Sequence, residues 1–221
     1  MTTTDNPGRY IVIEGAIGVG KTSLARLLAE ELKAQLLLET VEENPFLLKF
    51  YQDRRQYAFS AQTFFLLSRY RQQSALNQQD LFHQTTVADY FLPKDRIFAR
   101  INLDDNEWMM YNQIYRLLDT HLPRPDLVIY LQAETDVLIE RIKERGRAYE
   151  KEIGRAYLQE LNEAYNHFFF HYTESPLLVI RTSEIDFVKN REDLEDLIRQ
   201  IHQTRKGTQY YIPMSGKGSQ K

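Results

Sequence analysis

The sequence predicts an α/β fold in which a parallel sheet of five strands is covered by helices on both faces, and three observations predict it. Short apolar runs alternate along the chain with longer segments of helical character. A glycine-rich turn stands between the first apolar run and the first helical segment. The chain has 221 residues, 43% of them hydrophobic, which is enough for one buried core. Alternation of this kind favours parallel strands joined by crossover helices.

Each predicted element follows from a local pattern. The strands are short apolar runs at residues 9–14, 35–39, 85–89, 127–131 and 177–181. The helices are longer segments with helical spacing of apolar residues, at 21–33, 44–52, 56–74, 104–121, 134–145, 155–172 and 191–203. Asn44 before Pro45 is typical of a helix start, and Gly146 is typical of a helix end.

Both ends of the chain are polar and hold little to bury. The predicted organisation is therefore a flexible N-terminus over residues 1–8, a single domain over 9–205 and a flexible C-terminal tail over 206–221. Within the domain, a lid is expected near residues 141–152.

The composition indicates the cellular location of the protein and limits its binding partners. The chain has no cysteine, a net charge of −3, and no apolar run near the roughly 20 residues that cross a bilayer. Its first residues lack the apolar core of a signal peptide. These features predict a cytoplasmic protein that binds neither membrane nor nucleic acid.

The glycine-rich turn is a complete G-x-x-x-x-G-K-[ST] phosphate loop, and its neighbours are the strand and the helix that such a loop needs. Its backbone N–H groups and the start of the helix favour a triphosphate. Lys21 is predicted to reach the β- and γ-phosphates, and the Thr22 hydroxyl to bind Mg²⁺. The predicted ATP-binding residues of the loop are Gly15, Ala16, Ile17, Gly18, Val19, Gly20, Lys21 and Thr22.

Two carboxylates stand at the ends of predicted strands, where a parallel sheet binds its ligands. Glu39 ends the second strand and is a candidate to accept a proton from a hydroxyl nucleophile. The other interpretation is a solvated acidic cluster before the next helix. Asp89 ends the third strand and is a candidate Mg²⁺ ligand.

Gln62 and Arg69 project to the same side of the helix predicted at 56–74, among apolar neighbours. An amide and a guanidinium in such surroundings need partners. An internal ion pair of Arg69 with Asp95 satisfies that need, and so does a pocket that binds the polar edge of a flat base. The residue pattern leaves both open.

The segment around Gly146 carries Arg141, Arg145 and Arg147. Cations at a helix C-terminus are common for electrostatic reasons alone. Arginines on a lid would also neutralise a phosphoryl group in transfer and exclude water.

Taken together, these motifs resemble the deoxynucleoside kinases, which phosphorylate the 5′-hydroxyl of deoxyribonucleosides, over residues 9–202. The resemblance implies a P-loop kinase fold with an arginine-bearing lid, ATP as the donor, Mg²⁺ as the cofactor and a homodimer. It also implies a catalytic set and a substrate-binding set. The catalytic residues would be Glu39 as the base with Lys21, Arg141 and Arg145. The deoxynucleoside would be bound by Tyr51, Gln62, Arg69, Asp95, Phe98 and Glu150, with Thr22 and Asp89 as metal ligands.

The loop at residues 184–187 resembles the adenine-binding loop of the family, which adds Asp186 and Phe187, together with Arg145, to the ATP site. One departure concerns the acidic-Arg-Ser motif that usually follows the third strand. Here the residues are Asp89, Tyr90 and Phe91, so the arginine is absent. The Arg69–Asp95 pair and Asn44 resemble the purine-preferring members of the family, which implies a purine deoxynucleoside, with deoxycytidine as the other candidate.

Two alternative functions remain. A nucleoside-monophosphate kinase of the thymidylate kinase type would need a cation at the position of Leu38, which is neutral here. A catalytically weak nucleotide-binding relative would be consistent with Tyr90, but it leaves the presence of Lys21, Glu39 and the lid arginines unexplained.

Overall fold

The computed structural model describes residues 8–74, 85–119, 122–183 and 185–212. In this part of the chain six parallel strands form one sheet in the order β2-β3-β1-β4-β5-β6. The strands are β1 Tyr10–Gly15, β2 Gln35–Leu37, β3 Thr86–Ala88, β4 Leu127–Gln132, β5 Leu177–Arg181 and β6 Thr208–Tyr211.

Helices lie between the strands, as crossover connections require. They are α1 Lys21–Leu32, α2 Leu47–Gln52, α3 Arg54–Ser74, α4 Asp95–Asn102, α5 Asp105–Asp119, α6 Thr135–Arg145, α7 Arg155–Phe170 and α8 Arg191–Gln203. Three short 3₁₀ turns, Val41–Glu43, Leu92–Lys94 and Ala148–Glu150, lie close to the site described below. No helix in the described ranges is long and apolar enough to cross a membrane.

The core lies on the two faces of the central strands. Ile11, Val12 and Ile13 of β1 are at most 1% exposed, and the first five residues of β4 are equally buried. A strand that is apolar on both faces needs helices on both faces, which explains the near-continuous hydrophobic runs in the sequence. The predicted α/β fold is therefore confirmed.

The prediction of five strands is wrong. The sixth strand, Thr208–Tyr211, pairs with the outer edge of β5 in the segment that the sequence assigned to a loose tail. Its side chains are largely exposed, so it lacks the apolar signature of a buried strand. Residues 1–7 and 213–221, the outer parts of the two predicted flexible ends, lie outside the described ranges.

Two helix predictions also need correction. Helix α2 begins at Leu47, although the Asn44 side chain accepts the backbone N–H of Phe46 at 3.0 Å, as a turn residue does. Helix α4 was not predicted; it has only eight residues and follows a proline-containing turn. The predicted end of α6 is confirmed, since Gly146 adopts φ 69° there.

Candidate active site

The phosphate loop connects the carboxyl end of β1 to the start of α1. Gly15 and Gly18 have φ values of 150° and 87°, which L side chains rarely adopt. A Cβ at Gly15 would also lie 2.5 Å from the carbonyl oxygen of Leu131. The loop folds around its own lysine, whose Nζ donates to the carbonyl oxygens of Gly15 at 2.8 Å and Ala16 at 3.2 Å. Burial, together with the nearby charge of Lys94, lowers the pKa of Lys21 to about 8.

Thr22 and Asp89 meet across the gap between α1 and the end of β3. The Thr22 hydroxyl donates to Asp89 Oδ2 at 2.5 Å, while Oδ1 of the same carboxylate accepts the backbone N–H of Glu39 at 2.8 Å. A hydroxyl and a carboxylate beside a phosphate loop are hard oxygen donors. This donor set fits a divalent cation such as Mg²⁺, which is usually bound by one or two carboxylates plus substrate phosphates.

Glu39 follows β2 and is held by two cations. Arg69 donates through Nε and Nη2 to Oε1, the Nε contact measuring 2.8 Å, and Lys94 Nζ donates to Oε2 at 2.9 Å. Burial alone would raise the pKa of Glu39, but the charges of Arg69 and Lys94 outweigh it and lower that pKa to about 2. The carboxylate is therefore ionised throughout the neutral range.

Arg69 also forms an ion pair through Nη1 with Asp95, which is fully buried. The two interpretations that the sequence left open for Arg69 are therefore both compatible with the structure, since the internal ion pair forms within a cavity wall. Gln62 lines the same wall and is 3% exposed. Among the described residues its side-chain amide has no hydrogen-bond partner, so it is available to a ligand.

The lid segment lies over this cavity and is tied down by its own charges. Arg145 donates to Glu150 through Nε at 3.0 Å and Nη2 at 2.7 Å, a bidentate pair with a carboxylate that is 5% exposed. Tyr149 stacks on Tyr51, with ring centroids 6.5 Å apart, and donates its hydroxyl to Glu42 at 3.1 Å. These contacts join the lid to the turn that follows β2.

Arg141 contacts both the phosphate loop and the residue that follows β5. Its Nη2 donates to the carbonyl oxygen of Thr182 at 2.8 Å, and its Nη1 donates to the carbonyl oxygen of Val19 at 3.4 Å. It therefore connects the loop to the end of β5. The nearby segment after β5 contributes Asp186 and the buried Phe187, whose ring lies 3.1 Å from the place a Cβ would take at Gly20. Glu184, from the predicted adenine-binding loop, lies outside the described residues.

The predicted site residues gather around two cavities. The first, which we call the acceptor cavity, measures about 230 Å³, and the second, the donor cavity, about 380 Å³. The predicted residues that line the acceptor cavity are Ile17, Gly18, Lys21, Thr22, Glu39, Tyr51, Gln62, Arg69, Asp89, Phe98, Arg145 and Glu150. Those that line the donor cavity are Gly18, Val19, Gly20, Arg141, Arg145, Asp186 and Phe187. Gly18 and Arg145 belong to both, so the two cavities meet at the phosphate loop and the lid.

Three predicted residues line neither cavity. Asp95 is completely buried behind Arg69, while Gly15 and Ala16 form the base of the phosphate loop and present carbonyl oxygens to Lys21.

Several side chains of the acceptor cavity were not among the predicted site residues, and three of them are polar groups that contact other residues of the site. Lys94 and Tyr149 line it, and Glu42 both lines it and accepts the Tyr149 hydroxyl. Glu42 and Tyr149 are 107 positions apart, so no local pattern joins them. Lys94 follows a predicted strand end, but a lysine at such a position does not by itself indicate a site residue.

The parallel sheet, the phosphate loop at its carboxyl edge and a lid that carries arginines define a P-loop kinase. A family model described as Deoxynucleoside kinase matches residues 11–205. The chain belongs to the deoxynucleoside kinase family, and it is accordingly an ATP-dependent kinase of deoxynucleosides.

The relatives agree on this family. A deoxyguanosine kinase from Bacillus subtilis is 36% identical over 201 residues, which cover 89% of this chain and 97% of the relative. A deoxyadenosine kinase from Lactobacillus acidophilus is 30% identical, with 87% and 94% covered. Among solved structures, deoxyadenosine kinase from M. mycoides with bound dATP superposes with a TM-score of 0.76 at 28% identity, covering 88% of this chain and 99% of the other.

Proposed function

We propose that this kinase transfers the γ-phosphoryl group of ATP to the 5′-hydroxyl of a purine deoxynucleoside, with deoxycytidine as a weaker substrate. The observation that carries the proposal is the meeting of the two cavities at Gly18 and Arg145. A donor triphosphate lying on the loop from the donor cavity would point its terminal phosphate into the acceptor cavity. Glu39 lines that cavity and is ionised.

The base would be bound between α3 and α4. Gln62 offers an unpartnered amide, Arg69 offers a cation held from behind by the buried Asp95, and the half-buried Phe98 offers a flat face. A purine presents both donors and acceptors along its edge, which suits this mixed set. Tyr51 and Glu150 border the same cavity and would bind the sugar 3′-hydroxyl.

The chemistry would begin when Glu39 accepts the proton of the 5′-hydroxyl as that oxygen attacks the γ-phosphorus and the bond to the ADP oxygen breaks. Arg69 donates to Oε1 of Glu39. A nucleobase that binds Arg69 would compete with Glu39 for this guanidinium and would leave Oε1 of Glu39 free to accept the proton. Lys21, Arg141 and Arg145 would stabilise the phosphoryl charge, and the lid would exclude water.

We propose Mg²⁺ as the cation that the kinase uses, with Thr22 and Asp89 as its protein ligands. The metal would neutralise phosphate charge when ATP is bound. The proposed roles of the individual residues rest on their positions around the two cavities and on the family resemblance.

The substrate is tested by measuring ADP release with each of the four deoxynucleosides and with their monophosphates, at saturating ATP and Mg²⁺. We expect deoxyguanosine and deoxyadenosine to be phosphorylated best, deoxycytidine less well and the monophosphates not at all. Leu38 lines the acceptor cavity and offers no charge to an acceptor phosphate. A preference for thymidine or for a monophosphate would contradict the proposal.

We also propose that the kinase is cytoplasmic and that it forms a homodimer through α3 and α5. These two helices pack against each other and expose Leu67, Met109, Met110 and Leu117, which are 42–74% exposed. Large apolar side chains on neighbouring helices favour burial against a second copy of the chain.

A further inference from the structure

Lys94 is a buried lysine to which neither the sequence motifs nor the proposed mechanism gives a role. It ends the 3₁₀ turn Leu92–Lys94, between β3 and α4, and is 2% exposed. The residue nevertheless borders the acceptor cavity. Burying a lysine is costly unless it is paired, so its partners indicate what the position is for.

Those partners are two carboxylates, Glu39 after β2 and Glu14 in β1. Lys94 Nζ lies 2.9 Å from Glu39 Oε2 and 3.6 Å from Glu14 Oε1. Glu14 is fully buried in β1, and its other oxygen accepts the Gly15 N–H at 3.1 Å and the Tyr165 hydroxyl at 3.3 Å. Glu14 is therefore fixed, and Lys94 is a bridge from this fixed point to Glu39.

Tyr90 occupies the position at which the usual acidic-Arg-Ser motif of the family has an arginine, and it does not take the place of that arginine in the site. The side chain of Tyr90 is 0% exposed and does not border the acceptor cavity. Its hydroxyl has no hydrogen-bond partner within the described part of the chain. The motif lacks its arginine in this chain, but Lys94, four residues after Tyr90, supplies a cation at the acceptor cavity.

We propose that Lys94 is a positioning residue for phosphoryl transfer: it holds Glu39 by Oε2 so that Oε1 faces the acceptor hydroxyl. The inference rests on the proposed role of Glu39 as the base. Arg69 and Lys94 bind different oxygens of the carboxylate. When a nucleobase draws Arg69 away from Oε1, Lys94 still fixes the orientation, and the freed oxygen can accept the proton.

The test compares Lys94→Met and Lys94→Arg with the unchanged kinase, using kcat and KM for deoxyguanosine at saturating ATP. We expect Lys94→Met to lower kcat about 100-fold, as a misplaced catalytic group does, with KM changed less than about threefold. Lys94→Arg should recover at least about a tenth of the kcat. Lys49→Met, a change at an exposed lysine of α2, is the matched control and should leave both constants unchanged.

Two further measurements separate positioning from a merely structural role. Ethylammonium added to Lys94→Ala should restore kcat in a saturable way, which a destabilised fold would not show. Lys94→Met introduced into Glu39→Gln should cause no further loss, because both changes remove the same function. If Lys94→Met does not fold, Lys94→Gln takes its place, since it keeps a hydrogen-bond donor.

The outcomes distinguish this inference from the proposed function. Full activity in Glu39→Gln would overturn the role of Glu39 and the inference with it. An inactive Glu39→Gln beside a Lys94→Met of unchanged kcat per folded molecule would overturn the inference alone. A lowered melting temperature with unchanged kcat, or failure of both the arginine variant and the added amine to restore activity, would likewise overturn it.

Discussion

Glu39 is held both by its backbone and by its carboxylate. Three backbone or side-chain contacts fix it: its N–H bonds to Asp89, and its two oxygens bond to Arg69 and Lys94. Because Asp89 in turn accepts the Thr22 hydroxyl, a continuous chain of hydrogen bonds runs from the phosphate loop to the candidate base. A preorganised network of this kind lowers the reorganisation needed at the moment of transfer.

We expect Glu39→Gln to lower kcat by about 10²- to 10⁴-fold, the range for loss of a general base, while the affinity for the nucleoside stays near normal. The amide keeps the volume but cannot accept the proton. Steady-state kinetics and nucleoside titration measure the two effects. Glu43→Gln, an exposed neighbour in the same turn, is the matched control. A variant with unchanged kcat would rule out Glu39 as the base.

Arg69→Met should have two effects, since this guanidinium serves both Glu39 and the fully buried Asp95. We expect the substrate profile to shift away from purines, measured with the same four deoxynucleosides. We also expect the free energy of unfolding to fall by about 3–5 kcal/mol, because Asp95 is left as an unpaired buried charge.

Asp95→Asn added to Arg69→Met should recover part of the lost stability in a denaturant titration. Arg71→Met changes an exposed arginine of the same helix and should alter neither property. An unchanged base preference in Arg69→Met would refute the pocket assignment.

At the scale of elements, the lid and the added strand each depend on contacts distant in sequence. The lid is tied to the turn after β2 through Tyr149 and Glu42. Strand β6 pairs with β5 along Leu177 to Ile180, and its Tyr211 hydroxyl donates to Asp196 of α8 at 3.1 Å. An edge strand that covers β5 protects an apolar strand from pairing with other molecules.

Removal of residues 206–221 should therefore lower the free energy of unfolding by about 2 kcal/mol. For a chain of this size each kcal/mol shifts the melting temperature by about 2–4 °C, so we expect a fall of roughly 4–8 °C. It should also increase aggregation on heating, because the edge of β5 becomes unpaired. Thermal unfolding and light scattering measure the two effects. Removal of residues 213–221 alone, which keeps β6, is the control. Equal stability of the two truncated chains would show that β6 contributes little.

At the scale of the whole molecule, the phosphate loop and the lid join the acceptor cavity to the donor cavity. Arg141 ties the loop to β5 on the donor side, while Lys94 and Glu14 lie on the acceptor side. Helix α3 lines the acceptor cavity, and both α3 and the α5 helix packed against it carry exposed apolar residues.

We expect Met110→Lys to convert a dimer to a monomer at micromolar concentration in sedimentation velocity, because it places a charge in an apolar interface. Leu48→Lys is the control: Leu48 and Met110 are both 53% exposed, but Leu48 lies on α2. If the unchanged chain already sediments as a monomer, the dimer prediction is wrong.

Local patterns determined the fold class, because the phosphate loop, its strand and its helix are contiguous in sequence. The apolar runs of β1, β4 and β5 could be recognised for a similar reason, since a strand buried on both faces must be apolar throughout. Most of the predicted site residues do line the two cavities, because parallel strands bring their carboxyl ends to one edge of the sheet.

Tertiary structure alone decided what the remaining residues do. Strand β6 has no apolar signature, because it adds to an edge through backbone hydrogen bonds rather than by burying side chains. Arg69 reaches both Asp95 and Glu39, and Lys94 reaches Glu14 and Glu39, across separations that only the packing of helices on the sheet can close. The sequence predicted that cations and carboxylates would lie at the carboxyl edge of the sheet. Which of them pair depends on distances of a few ångströms, and those distances are set by the fold.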